Sequence, residues 1–163
     1  MNIYLIGMMG TGKSTIGKLL TKMLDYPFVD LDEKIEKYAG KSITEIFNNN
    51  GEENFRNLES EHLRFYSNSV IACGGGIIMR EENRTFMKDN GKAVLLTASI
   101  PELSKRLIES DSRPLLAVEN KEELMKNIWL ERRLHYFSTA DYTIKTDHKT
   151  HKEIADEILR HLN

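Results

Sequence analysis

The sequence predicts an α/β fold in which a central five-stranded parallel sheet carries helices on both faces. Five short apolar runs are nearly continuous rather than alternating, as is typical of strands that are covered on both sides. They are Ile3–Ile6, Phe28–Leu31, Val70–Cys73, Ala93–Leu96 and Tyr142–Ile144. Helical stretches separate these runs, and such alternation indicates a parallel sheet. Ligands of parallel sheets bind beyond the carboxyl ends of the strands, so we expect the chemistry at that edge.

The helical stretches carry start signals and apolar stripes. Three of them begin with a Ser or Thr that is followed three residues later by Glu, the spacing of a capping box. These pairs are Ser42 and Glu45, Ser99 and Glu102, and Thr150 and Glu153. Two segments also place apolar residues at helical spacing. Those residues are Ile16, Leu19, Leu20, Met23 and Leu24 in the first segment, and Ile154, Ile158, Leu159 and Leu162 in the last.

Composition indicates one cytoplasmic domain that spans residues 1–163, with a hydrophobic fraction of 40%. No apolar stretch approaches the roughly 20 residues that cross a bilayer, and no targeting peptide is visible. Cys73 is the single cysteine, which excludes an internal disulfide and fits a reducing compartment. A net charge of −2 gives no general attraction to nucleic acid or to acidic lipid. Any anion that this protein binds must therefore be captured locally.

Residues 7–15 read GMMGTGKST, at the point where the first strand ends and a helix begins. The spacing G-x-x-x-x-G-K-[ST] is that of a P-loop, whose backbone N–H groups converge on phosphate. Lys13 would supply a charge to the outer phosphates, and the Ser14 hydroxyl would ligate Mg²⁺. The residues that we expect to contact the nucleotide are Gly10, Thr11, Gly12, Lys13, Ser14 and Thr15.

The second predicted strand ends in Asp30-Leu31-Asp32. Alternation along an extended strand would place both carboxylates on one side, near the phosphate loop. One carboxylate could hold Mg²⁺ through water, and the other could accept a proton from a substrate hydroxyl. Capping of the following helix is the alternative role for these acidic residues.

Glycines and arginines supply the other candidate site residues. The third strand runs into Gly74-Gly75-Gly76, where a ligand could lie against bare backbone, although a flexible turn would have the same composition. The candidate arginines are Arg56, Arg106, Arg113 and Arg132. A solvated surface position is the alternative for each arginine, and spacing alone does not rank them.

Six segments together resemble the shikimate kinase family in order and spacing, over essentially the whole chain. They are GMMGTGKST, D-L-D at 30–32, F-R at 55–56, G-G-G at 74–76, R-P-L-L at 113–116 and E-R…Y…A-D at 131–141. The resemblance implies a three-layer P-loop kinase fold with a mobile lid at about 108–120 and a substrate-binding helical region at about 33–61. It also implies transfer of the γ-phosphoryl group of ATP to the 3-hydroxyl of shikimate, in aromatic amino acid biosynthesis.

The resemblance assigns an ATP half of the site. Lys13 and the loop amides would hold the ATP phosphates, and Ser14 would bind Mg²⁺ with help from Asp30 through water. Arg113 would belong to the lid that closes over the phosphates, and Arg106 would lie against adenine.

The resemblance also assigns a shikimate half. Arg56 and Arg132 would grip the shikimate carboxylate, Glu59 would orient Arg56, and Asp32 would be the general base. The remaining walls would be Phe47, Phe55, Gly74, Gly75 and Gly76. Lys13, Asp32 and Arg113 are thus the expected catalytic residues.

One segment departs from the family pattern. The chain reads R-L-H-Y-F-S-T-A-D from Arg133, where the family usually has a proline and acidic residues around the tyrosine. Arg133 is therefore a rival of Arg132.

Another small-molecule P-loop kinase, for gluconate or a nucleoside monophosphate, is the nearest alternative function. A nucleotide-binding regulatory switch is the alternative from a different class. We expect a monomer with a small-molecule substrate and without nucleic acid or membrane partners.

Overall fold

In the computed structural model, which describes residues 1–109 and 120–162, all five expected strands form one parallel sheet. The strands are β1 (Asn2–Ile6), β2 (Phe28–Asp30), β3 (Val70–Ala72), β4 (Gly91–Thr97) and β5 (Tyr142–Lys145). Their order in the sheet is β2-β3-β1-β4-β5. Every hydrogen-bonded pair of strands is parallel, so the carboxyl ends of all five open at one edge. The predicted α/β fold is confirmed.

Helices connect the strands and cover both faces of the sheet. They are α1 (Lys13–Leu24), α2 (Leu31–Ala39), α3 (Ile43–Leu63), α4 (Glu81–Asn90), α5 (Ile100–Glu109), α6 (Lys121–Thr139) and α7 (His151–Leu162). A 3₁₀ turn at Ile77–Met79 precedes α4. Gly51 interrupts α3 with a φ of 81°, so that α3 consists of two helical parts that meet at a kink. Within the described ranges, no helix is both long enough and apolar enough to cross a membrane.

Two of the three predicted capping boxes form. The side chains of Ser42 and Glu45 cap each other's backbone N–H groups, and Thr150 and Glu153 do the same. The prediction for Ser99 and Glu102 is wrong, although α5 does begin there. The Ser99 N–H donates to the Asp147 carboxylate at 3.0 and 3.2 Å, and Glu102 accepts from Arg106 instead. Partners that are distant in sequence replace the local ones at this helix.

The sheet separates two apolar layers, which is why its strands are apolar on both sides. Tyr4 and Ile6 of β1 point into a layer beneath α2 to α6, whereas Ile3 and Leu5 point into a layer beneath α1 and α7. The first layer contains Ile35, Ile46, Phe55, Ile77, Met87, Leu103, Met125 and Tyr136. The second contains Ile16, Leu20, Ile154, Ala155 and Ile158.

Strand order decides which loops meet. β3 lies between β1 and β2, so the strand that follows β1 in the chain is not its neighbour in the sheet. The loop after β1, the end of β2 and the segment after β3 therefore lie side by side at the carboxyl edge. These are the three segments that carry the P-loop, Asp30 and the glycine triplet.

Asn2 anchors the start of β1 and is 2% exposed. Its Nδ2 donates to the Tyr4 hydroxyl at 2.9 Å and to the Tyr66 carbonyl oxygen at 2.8 Å, and its Oδ1 accepts from the Ser69 N–H at 3.1 Å. We expect Asn2→Ala to lower the free energy of unfolding by about 1–3 kcal/mol, because the buried Ser69 N–H and the partly buried Tyr66 carbonyl lose their partner. Urea denaturation measures this loss. Asn90→Ala, at an exposed amide, is the matched control, and an equal loss in both variants would contradict the assignment.

Candidate active site

The loop between β1 and α1 depends on glycine backbone conformations. Gly7, Gly10 and Gly12 have φ values of 140°, 82° and 88°, which side-chain-bearing residues rarely adopt. At Gly7, a Cβ would also collide with the carbonyl oxygen of Leu96 in β4. The loop thus delivers the chain into the N-terminus of α1 with its backbone close to the central strands. Backbone N–H groups at such a helix N-terminus form an anion site.

Side chains of the loop fold back onto its carbonyl oxygens. The Lys13 ammonium donates to the Gly7 and Met8 oxygens at 2.9 Å each, so its charge lies over the loop. Thr11 is buried and donates from Oγ1 to the Met8 oxygen at 2.8 Å. Thr15, in contrast, is exposed on the first turn of α1.

Ser14 and Asp30 form a pair of oxygen donors beside the loop. The Ser14 hydroxyl donates to Asp30 Oδ2 at 2.5 Å, and the other Asp30 oxygen caps α2 by accepting from the Glu33 N–H at 3.4 Å. Hydroxyl and carboxylate oxygens are ligands that suit Mg²⁺. No cluster of three or more His, Cys, Asp or Glu side chains with metal-binding geometry occurs in residues 1–109 and 120–162.

The structure corrects the geometry expected for Asp32. β2 ends at Asp30, and Asp32 lies in the first turn of α2 rather than on an extended strand. The strand stops because Asp30 caps the helix, which is the alternative role considered for this residue. Asp32 nevertheless lines one small cavity together with Lys13, Ser14, Asp30, Ala72, Cys73, Gly74 and Gly75. Both carboxylates therefore line the same cavity, as expected. They do so because Asp32 lies on the first turn of a helix, and not because the two residues alternate along a strand.

The glycine triplet forms a floor against which charged side chains pack. A Cβ on Gly74 would lie 2.6 Å from Glu59 Oε1 and 2.8 Å from Asp32 Oδ1, so both carboxylates approach bare backbone. A Cβ on Gly76 would overlap the Arg56 guanidinium. Any larger residue at these positions would displace the side chains that contact it. The triplet is thus a packing surface and not only a turn.

A second group of side chains reaches Gly75 from α6. A Cβ there would lie 3.4 Å from both Arg132 Nη1 and the Tyr136 hydroxyl, and that hydroxyl donates to the Gly75 oxygen at 2.6 Å. Burial raises the pKa of Tyr136 to about 12, although the Arg132 charge acts in the opposite direction. Arg132 is half-buried, and its Nε has no hydrogen-bond acceptor among the described residues. Arg133 is exposed, so of these two arginines Arg132 is the one that packs against the triplet.

Arg56 is held by two carboxylates of its own helix. Its Nη1 donates to Glu59 Oε2 at 2.5 Å, and its Nη2 donates to Glu52 Oε1 at 3.0 Å. The Arg56 side chain is 13% exposed, the Glu59 side chain 1% and the Glu52 side chain 65%, so only the Glu59 pair is buried. Phe55 packs beside the guanidinium with 5.5 Å between Arg56 Cζ and its ring centroid. Phe47 precedes the Gly51 kink and Phe55 follows it, and their ring centroids are 4.9 Å apart.

The pKa of Glu59 is strongly shifted. Burial raises its pKa to about 7, the Arg56 guanidinium opposes that rise, and the Asp32 charge adds to it. Burial also raises the pKa of the neighbouring Cys73 thiol, which stays neutral. Only the resemblance drew attention to Glu59, because a Glu within a charged helix has no sequence signal of burial.

Arg106 ties the P-loop to the segment after β5. Its Nη1 donates to the Gly10 oxygen at 3.3 Å and to Thr146 Oγ1 at 3.0 Å, and its Nε donates to Glu102 at 2.9 Å. It therefore lies beside the loop, and its contact with adenine stays a prediction. Arg113 and residues 110–119 of the expected lid lie outside the described residues.

Comparison with known proteins identifies similar chains. A family model described as shikimate kinase matches residues 9–163. A shikimate kinase of Thermodesulfovibrio yellowstonii is 43% identical, and the alignment covers 98% of this chain and 93% of that protein. A shikimate kinase of Caldanaerobacter subterraneus subsp. tengcongensis is 41% identical, and the alignment covers 98% of this chain and 94% of that protein. The structure of shikimate kinase from Acinetobacter baumannii in complex with shikimate superposes with a TM-score of 0.93 at 36% identity, over 99% of this chain and 92% of that one.

The pKa of Glu59 has a consequence for stability. A carboxyl whose folded-state pKa is raised from 4.5 to about 7 binds more protons when folded than when unfolded between these pH values. Its stabilising contribution is fully present below pH 4.5 and is lost as the pH rises through about 7. We expect the free energy of unfolding to fall more steeply between pH 5 and 8 in the wild type than in Glu59→Gln, by a few kcal/mol in total.

Urea denaturation at several pH values measures the slope of the free energy of unfolding against pH in the wild type and in Glu59→Gln. Glu52→Gln removes the exposed partner of the same arginine and should keep the wild-type slope. Equal slopes in the wild type and Glu59→Gln would contradict the expectation.

Proposed function

This chain belongs to the shikimate kinase family, and we propose that it transfers the γ-phosphoryl group of ATP to the 3-hydroxyl of shikimate, giving shikimate 3-phosphate and ADP. One observation carries the proposal. Two anion-binding groups, the P-loop with Lys13 on one side and Arg56 with Arg132 on the other, border the same floor of three glycines. A triphosphate and a small carboxylic acid bound at these groups would face each other.

The ATP half of the proposed site uses backbone and charge. The amides of residues 10–15 and the Lys13 ammonium would bind the phosphates, and Arg106 would lie beside the nucleotide from its position against Gly10. Ser14 and Asp30 would hold Mg²⁺, which neutralises charge on the phosphates when it is bound. Their oxygens lie 2.5 Å apart, on the side of the loop that faces the cavity.

The shikimate half uses planar cations. A guanidinium pairs with a carboxylate through parallel N–H···O bonds, a geometry that an ammonium does not reproduce. Arg56 from α3 and Arg132 from α6 would bind the carboxylate from two directions and so orient the ring. Phe47 and Phe55 would form the apolar wall.

Asp32 is the proposed general base. It lines the cavity that Lys13 and Ser14 also line, and its Oδ1 lies against Gly74, between the two halves. As the substrate O–H bond breaks, the proton would pass to Asp32 while the oxygen bonds to the γ-phosphorus and the bond to ADP breaks. Phosphoryl transfer needs positioning and charge neutralisation more than covalent help, and the proposed residues supply both.

We further propose that the enzyme acts as a monomer and, because its single cysteine fits a reducing compartment, in the cytoplasm. Release of ADP in a coupled assay, with shikimate, gluconate and AMP offered separately, tests the proposed substrate. We expect turnover with shikimate and none with gluconate or AMP. Turnover with either other acceptor, and none with shikimate, would assign the chain to a different acceptor.

Lys13→Ala tests the phosphate site. We expect kcat to fall by at least about 10²-fold, because charge that stabilises the transferring phosphoryl group is removed. The coupled assay measures the loss. Lys22→Ala, at an exposed position near the other end of α1, should retain wild-type turnover. Comparable rates in the two variants would exclude Lys13 from the chemistry.

Arg56→Lys tests the carboxylate site. We expect the KM for shikimate to rise about 10- to 100-fold and the KM for ATP to stay within about twofold, because a bidentate charge-assisted pair is lost on one side only. Steady-state kinetics with each substrate varied separates the two values. Arg133→Lys, at the exposed neighbour of Arg132, should leave both KM values unchanged. An unchanged KM for shikimate in Arg56→Lys would remove Arg56 from the site.

A further inference from the structure

Glu59 lies at the centre of the charged groups that border the shikimate half of the site. Arg56 faces it from α3, Asp32 from α2, and Arg132 from α6. Among the described residues, two further titratable groups act on or lie near Glu59, the Tyr136 phenol from α6 and the Cys73 thiol at the end of β3. Glu59 itself is 0% exposed, so water cannot solvate its charge.

The two carboxylate oxygens of Glu59 have different surroundings. Oε2 accepts from Arg56, whereas Oε1 accepts no hydrogen bond from any described residue. Oε1 and Asp32 Oδ1 both lie against Gly74, since a Cβ there would be 2.6 Å from the first oxygen and 2.8 Å from the second. A buried carboxylate oxygen beside a second carboxylate is an unfavourable arrangement, and a proton on Oε1 would relieve it.

A bound carboxylic acid would add to this negative charge. Arg56 and Arg132 act on Glu59 with positive charge and Asp32 with negative charge, and Lys13 lines the cavity beside Asp32. The carboxylate of shikimate, which is ionised at neutral pH, would bring a third carboxylate next to Glu59 and Asp32. It would also compete with Glu59 for the Arg56 guanidinium. A third negative charge beside two carboxylates is costly, and the usual outcome is that one of the groups takes up a proton.

We propose that Glu59 takes up a proton when the carboxylate of shikimate binds to Arg56, so that substrate binding is linked to pH through this one residue. The inference rests on the proposed function, because it takes shikimate as the ligand. Glu59 is in this view a positioning residue: its charge holds Arg56 in place before binding, and its neutralisation releases Arg56 to the substrate. Glu52 cannot replace it, because Glu52 is largely exposed and water solvates its charge.

The direction in which the affinity for shikimate changes with pH follows from the direction in which the pKa of Glu59 is shifted. The pKa of Glu59 is already raised to about 7 by burial, and a third carboxylate raises it further. Above pH 7, binding then requires a proton from solvent, and the affinity for shikimate falls as the pH rises. Below about pH 6 Glu59 already carries the proton, and binding takes up none.

Isothermal titration of the full-length protein with shikimate, without ATP, counts the protons directly. Titrations at one pH in buffers of different ionisation enthalpy give the number taken up from the dependence of the observed heat on the buffer. We expect between about 0.5 and 1 proton for each shikimate at pH 8, and close to none at pH 5.5. A value near zero at pH 8 would overturn the proposal with the wild-type protein alone, whether or not any variant folds.

Two matched variants assign the proton. Glu59→Gln mimics the protonated carboxyl, so it should bind shikimate without proton uptake, whereas Glu52→Gln should keep the wild-type value. The dissociation constant, followed by the fluorescence of the single Trp129, should rise by up to about tenfold for each pH unit above 7.5 in the wild type and stay flat in Glu59→Gln. Wild-type uptake in Glu59→Gln would overturn the assignment to Glu59.

The same data separate this inference from the proposed function. Absence of shikimate binding by both heat and fluorescence would overturn the proposed function together with the inference. Binding and phosphorylation of shikimate without proton uptake would overturn the inference alone.

Discussion

The site is built around a stretch of backbone without side chains. Gly74, Gly75 and Gly76 follow the strand that lies between β1 and β2, and two carboxylates, two guanidinium groups and a phenol pack against them. A single Cβ at Gly74 or Gly76 would occupy space that a charged side chain now fills. Side chains of α2, α3 and α6 all contact these glycines, and the missing Cβ atoms let their charged groups approach one another closely. The electrostatics of the site therefore depends on the absence of side chains at three residues.

The helices keep these charges in place by apolar packing rather than by the charges themselves. A buried ion pair such as Arg56 with Glu59 is not by itself strongly stabilising, since its desolvation offsets its attraction. Phe55, adjacent to Arg56 in sequence, belongs to the apolar layer beneath α2 to α6, and so does Tyr136, which bonds to Gly75. Core residues and site residues thus alternate along the same helices. The packed layer stabilises a polar arrangement that would be unfavourable alone.

Local patterns explain the parts of the site that could be predicted. The P-loop, the capping boxes at Ser42 and Thr150, and the apolar strands all depend on residues that are close in the sequence. Where a distant group competes, local prediction fails, as at Ser99, whose N–H bonds to Asp147. The Asp30 and Asp32 pair shows an intermediate case. Its location was predicted, but the alternation argument was wrong because Asp30 caps a helix at that point.

The α/β class, the five strands and the phosphate loop can be predicted from the sequence, because hydrophobic periodicity and glycine spacing are properties of short segments. Three features follow from the packing of distant segments instead: β3 separates β1 from β2, Glu59 is buried, and Arg132 rather than Arg133 packs against the triplet. On α6, Leu130, Leu134 and Phe137 are exposed, so apolar residues do not mark the buried face of that helix. Burial of a charged side chain depends on which elements pack around it, and that packing joins residues far apart in the chain.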